Sequence, residues 1–96
     1  MLIDNMNINT NFLSKYLTED IPHIFMFHKI NETITTSAQM SDVMKYLLTF
    51  KRDEDVLTYL AILYVKHSNL MFATNNTMLW LECALRVHHI VNKSNN

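Results

Sequence analysis

Five histidines and a single cysteine are the side chains that metal or nucleophilic chemistry would draw on in this sequence. Their spacing serves neither purpose. His88 and His89 are adjacent, so on a helix they diverge by about 100° and cannot hold one ion from that helix alone. His23 and His28 are five apart, not at the i,i+4 spacing of a helical HExxH site. Cys83 lies about 120° around a helix from His89, in apolar company that raises a thiol pKa and does not activate it. The acidic groups Glu19/Asp20 and Asp53/Glu54/Asp55 stand where a helix start already accounts for them, and no carboxylate pair for acid–base work is legible. The expectation is a protein that is not an enzyme and carries neither a metal nor a cofactor.

Charge and composition narrow the partners. Eight basic and nine acidic residues are interleaved and leave a net charge of −1. The bases Lys15, Lys29, Lys45, Lys51, Arg52, Lys66, Arg86 and Lys93 are dispersed, with acids nearby. That is a solvated surface, not a nucleic-acid footprint. Apolar content of 49% and charged content of 18% fit one globular domain of 96 residues. Glycine is absent and proline occurs once. Tight hairpins and glycine-rich phosphate loops are thereby excluded. The longest uninterrupted apolar run, Tyr59 to Val65, falls far short of the roughly 20 residues that span a bilayer. Met1-Leu-Ile-Asp lacks the basic and apolar regions of a leader. The setting expected is intracellular, cytoplasmic or nuclear. The Asn-, Ile-, Lys-, Met- and Thr-rich composition matches an AT-rich coding sequence, as in a virus or a reduced parasite.

These residues need helices to position them. The stretch Asn75 to Lys93 is the most informative. At about 100° per residue, Glu82, Arg86, His89 and Lys93 fall on one line, and nearly everything else is apolar. Such a helix wants neighbours on several sides. Glu54 to His67 is a second strongly apolar helix, opened by Asp53, Glu54 and Asp55 at its positive end. Its expected exposed line is Asp55, Tyr59, Ile62 and Lys66. Two sizeable side chains, Tyr59 and Ile62, between two charges fit either a partner-binding face or a dock for the N-terminal helices. Gln39 to Phe50 is a third helix, with Ser41 as its expected cap. Short connections predict that these three run antiparallel to their neighbours.

The N-terminal part is less regular. Residues 1–11 read as a loose arm. Phe12, Leu13, Tyr16 and Leu17 have the spacing of a short amphipathic helix. Asp20 and Pro22 mark a helix start before His23 to Ile30, where a strand is the rival reading. The Thr- and Ser-rich stretch 31–38 reads as a linker. The fold expected is all-α: a compact bundle of about five helices packed around the central hydrophobic helix 75–93, with N-terminal helices over 12–30 and a three-helix core over 39–93.

Residues 40–91 resemble the first part of a cyclin box, particularly that of the Pho80-like cyclins. Met40-Ser-Asp-Val-Met-Lys-Tyr-Leu47 resembles its opening helix. Asp53-Glu-Asp-Val-Leu-Thr-Tyr-Leu-Ala-Ile-Leu-Tyr-Val65 resembles the second. Thr74-Asn-Asn-Thr-Met-Leu-Trp-Leu-Glu-Cys-Ala-Leu85 resembles the loop and start of the third, the hydrophobic centre of that fold. The sequence departs from the pattern at Lys66-His67, where cyclins carry Asp-Arg. It departs again at Thr77-Met78-Leu79, in place of His-Arg, and at Ile90, in place of a kinase-contacting Lys. The resemblance implies a minimal cyclin-like regulator that docks on a protein kinase, by a surface including the exposed line of the last helix. The residues alone leave two alternatives: a small structural or assembly protein that self-associates through Tyr59, Ile62 and a Met-rich surface, or a helical antagonist of a host factor. The candidate protein-binding residues are Tyr59, Ile62, Lys66, Glu82, Arg86, His89 and Lys93.

Overall fold

The computed structural model describes residues 23–94, and these form four α-helices and a short 3-10 turn. We number them α1 (His23–Thr33), α2 (Ser37–Leu47), α3 (Asp53–Met71) and α4 (Thr77–Ser94), with the 3-10 turn Thr74–Asn76 leading into α4. No strand occurs among the described residues, so the all-α expectation holds there and α1 is a helix throughout. The arm 1–11 and the helix expected over 12–17 lie outside the described residues.

The stretch expected to be a linker is mostly helical. Only Ile34, Thr35 and Thr36 separate α1 from α2, and Ile34 is buried. The start of α2 is set by Thr36, not Ser41. The Thr36 hydroxyl accepts from the Gln39 backbone N–H at 3.1 Å, and the Gln39 side chain accepts from the Thr36 N–H at 3.2 Å. This reciprocal pair satisfies two N–H groups that the first turn leaves without helical partners. Gln39 also accepts from the Thr35 N–H at 2.8 Å, which fixes how the chain enters the helix.

Side-chain bonds give the helix directions. Asp53, at the start of α3, meets Arg86 and His89 late in α4. Phe72, just past the end of α3, packs on Trp80 early in α4. These two helices therefore run antiparallel, as do α2 and α3 by the same logic. Asn76 is wholly buried and donates to the carbonyls of Ser37 at 3.1 Å and Leu70 at 2.9 Å, tying the start of α2 to the end of α3. α1 runs parallel to α3. Phe27 stacks on Tyr59 with ring centroids 4.6 Å apart, and Glu32 receives a 2.6 Å hydrogen bond from Lys66. His67 sits at a kink in α3 (φ −129°, ψ 32°), and its Nε2–H donates to the Asn31 carbonyl at 2.8 Å.

The centre of the described bundle is α3, not 75–93. α3 packs against α1, α2 and α4. It buries Val56, Tyr59, Leu60, Leu63 and Met71, and α2 buries Met40, Val43, Met44 and Leu47. Of α4 only Cys83 is fully enclosed. The widest apolar surface in the sequence lies on 75–93, yet the central place belongs to α3. In the structure that width is left uncovered by the described residues.

Candidate protein-binding face

The seven residues singled out from the sequence fall into two groups, each tied to a different neighbour. Tyr59 is only 8% exposed, so the expectation that it lies on an exposed line is corrected. Its ring is sandwiched between Phe27 and Phe50, with the Phe50 centroid 5.5 Å away at a right angle. Burial, with Asp55 nearby, pushes its hydroxyl pKa above the usual value. Ile62 is half-buried against the same core. Lys66 is exposed but bound to Glu32, and that bond holds the Glu32 carboxyl below its usual range. The line Asp55–Lys66 thus borders the α1–α3 contact. The second option the sequence left open, a dock for an N-terminal helix, is the one α1 takes.

The polar line of α4 is also partly engaged. Arg86 Nε donates to one Asp53 oxygen at 2.6 Å and His89 Nδ1–H to the other at 2.7 Å. The Asp53 and Arg86 side chains are 18% and 21% exposed. Hydrogen bonds from His89 and then Arg86 hold the Asp53 carboxyl below its usual value. Arg86 also reaches the Leu48 carbonyl at 3.4 Å. Asp53, read from sequence as a helix-dipole residue, therefore clamps the far end of α4 to the start of α3. Glu82 and Lys93 remain exposed. Cys83 is buried, and burial pushes its thiol to about 11, so it is neutral at physiological pH. No group of three His, Cys, Asp or Glu among the described residues is arranged to hold a metal ion.

What sequence reasoning missed is an apolar face on the other side of α3. Leu57, Ala61, Tyr64 and Val65 recur at helical spacing and face away from α1. With Trp80, Ala84 and Val87 of α4 they border a groove of about 300 Å³ between the two antiparallel helices. Ala61 and Ala84 project little from either helix, which leaves the groove its depth. Phe72 closes one end, with its ring edge-on to Trp80 at 4.8 Å and to Tyr64 at 6.0 Å. Beyond the groove the apolar surface continues over Leu81, Leu85 and Val91 of α4. Val65 is 85% exposed and Leu85 67%. No charged side chain lines the groove. At its far end the face turns polar, where Asn92 and His88 bond each other at 3.2 Å. The signal was available: an apolar arc on each long helix wider than one neighbour can cover.

No family model, curated protein or solved structure matches this chain. No helix among the described residues is long and apolar enough to cross a membrane.

Proposed function

We infer that this chain is a non-enzymatic protein-interaction module that packs a helical partner surface onto the α3–α4 face. One observation carries the reading: an uncharged groove bordered by exposed Leu57, Tyr64 and Val65 of α3, with Leu81 and Leu85 of α4 also exposed. Contiguous apolar patches beyond a few hundred Å² mark interaction sites on folded proteins. A groove between two antiparallel helices takes the apolar ridge of a further helix. Photo-crosslinking in the source cell tests it. A crosslinker at Val65 or Leu85 is expected to capture protein, a further copy included, and one at Lys93 is not. Capture from Lys93 alone would transfer the function to the polar line, and capture from none of the three would sink the module reading.

A second reading, which uses the polar line of α4 and not the apolar face, is a cyclin-like regulator docked on a protein kinase. It is favoured by the correspondence of residues 40–91 to α2, α3 and α4 in the order of the cyclin box. Glu82 and Lys93 are open to such a partner, whereas Arg86 and His89 would have to exchange Asp53 for it. Co-purification with a kinase is the expected outcome, weakened when Glu82 and Lys93 are reversed in charge. Native extracts that yield no kinase would remove this reading and leave the first one standing.

A further inference from the structure

We propose that the partner on the α3–α4 face is a second copy of this chain, the two α3–α4 hairpins closing into a four-helix bundle about a two-fold axis. The inference rests on the reading of that face as a protein-binding surface and adds what occupies it.

Area is the first argument. The exposed parts of Leu57, Tyr64, Val65, Leu81, Leu85 and Val91, with Phe72 beside them, are 40% to 85% of each residue's surface. Together they present roughly 700 Å², within the range each partner contributes to a standard-sized stable interface. A single short helix laid in the groove would cover the groove walls and leave Leu81 and Leu85 in water. A second hairpin covers both.

Shape is the second. A two-fold interface must be self-complementary, because the same patch serves both partners. This face has both halves of such a fit. The furrow holds Ala61 and Ala84, and helical spacing sets the exposed Leu81 and Leu85 next to Ala84 on α4. Rotation of one hairpin onto the other sets each pair of leucines against the other's furrow. Two antiparallel pairs stacked in this way form an ordinary four-helix bundle, with a core shared between the chains.

Electrostatics do not oppose the pairing. The groove lining is free of charge, and the chain's net charge is only −1. Of the charged residues of α4, Arg86 is held by Asp53, and Glu82 and Lys93 are exposed outside the groove lining. Two copies therefore bring together apolar surface without burying an unpaired ion, the costliest error in an interface.

Sedimentation equilibrium on the full chain, across micromolar concentrations, is the test. A reversible monomer–dimer equilibrium is expected, with the emission of Trp80, the only tryptophan, shifting to the blue as dimer forms. Val65→Glu and Leu85→Glu are each expected to weaken dimerisation at least a hundredfold, with helical circular dichroism retained because both side chains are exposed in the monomer. Lys93→Glu is expected to leave it unchanged. A wild type that is monomeric throughout overturns the proposal. So does a dimer that survives both substitutions, since it uses another surface. If a crosslinker at Val65 in the monomer captures residues 1–22 of the same chain, that segment is the occupant and the proposal is also overturned. Crosslinks from Val65 to a different protein, with a monomeric wild type, would remove the second copy and preserve the interaction-module reading.

Discussion

The two sides of α3 carry much the same chemistry and meet different fates. One side, with Tyr59 and Leu63, is buried in the core shared with α1 and α2. The other, Leu57, Ala61, Tyr64 and Val65, borders an open groove with α4. Charge pairs cross the contacts already made, and no charged side chain lines the groove. Lys66 reaches across the α1–α3 contact to Glu32, and Asp53 holds Arg86 and His89 at the α4 end. The pairs Lys66–Glu32 and Asp53–Arg86 therefore mark the edges of contacts already made within the chain. The uncharged arc is the one left for a partner.

The sharpest way to break this comparison is to delete one side chain from each face. Tyr59→Ala or Phe27→Ala removes half of a buried aromatic stack and is expected to cost about 3–5 kcal/mol. A chain of this length has only about 5–15 kcal/mol in all, so either variant comes close to unfolding at ambient temperature. Val65→Ala and Leu85→Ala, measured by urea unfolding below the concentration at which copies associate, are expected to stay within about 0.5 kcal/mol of wild type. Equal losses on both faces would mean that the α3–α4 face is covered within the monomer, and the contrast between the faces would fail.

Next in size is Asn76. Its amide joins the Ser37 and Leu70 carbonyls inside the protein, where no side chain of another type makes both bonds. Asn76→Ala removes both bonds to these part-buried carbonyls, and about 1–3 kcal/mol of destabilisation is expected by thermal or urea unfolding. Asn76→Asp sets a carboxylate against two carbonyl oxygens and should cost more. If Asn76→Asp were as stable as Asn76→Ala, the amide would not be the tie between α2 and α3. The cap at Thr36 is smaller and local: Thr36→Ala is expected to cost about 1 kcal/mol and to fray the first turn of α2 in hydrogen exchange. A cost at that position with no change in exchange near Ser37 would show that the effect arises elsewhere.

Much of this architecture can be read in the amino-acid order, and the misreadings have specific causes. The apolar breadth of 54–67 and 75–93 identifies the two long helices, and their short connection makes them antiparallel. The start of α2 is also legible, because Thr36-Ser-Ala-Gln39 is the capping pattern; reading 31–38 as a linker gave the Thr and Ser content more weight than their spacing. Their place between Asp55 and Lys66 makes Tyr59 and Ile62 look like surface residues in the sequence. A lysine's long stem lets its head reach a partner helix while its neighbours are buried, so a charge does not locate solvent to within one turn. Asp53 shows the reverse error. Three consecutive acids at a helix start are fully explained by the helix dipole, and periodicity cannot say which of them also reaches another helix. Which apolar arc is left open is a tertiary property. It depends on α1 choosing one side of α3, and both sides offer it a surface.

The smallest effect belongs to Asp53, and pH isolates it. In the folded chain its pKa is held below the usual 3.8 by the bonds from His89 and Arg86. Below that usual value the unfolded chain binds a proton more readily than the folded one, so stability rises with pH across this window. The contribution is fully present above about pH 4 and is lost as pH falls through the lower, folded value. Asp53→Asn removes the titration and weakens both bonds. The variant should therefore be less stable than wild type at pH 6, and the gap should close as the pH falls toward 3 in urea melts at matched ionic strength. Because α4 carries only one fully enclosed residue, Asp53 is among the few groups that hold its far end on α3. Hydrogen exchange near His89 should rise in the variant while exchange near Tyr59 stays slow. If both ends loosened together, α4 and the closed face would unfold as one unit, and the division of α3 into a finished side and an open side would have no energetic counterpart.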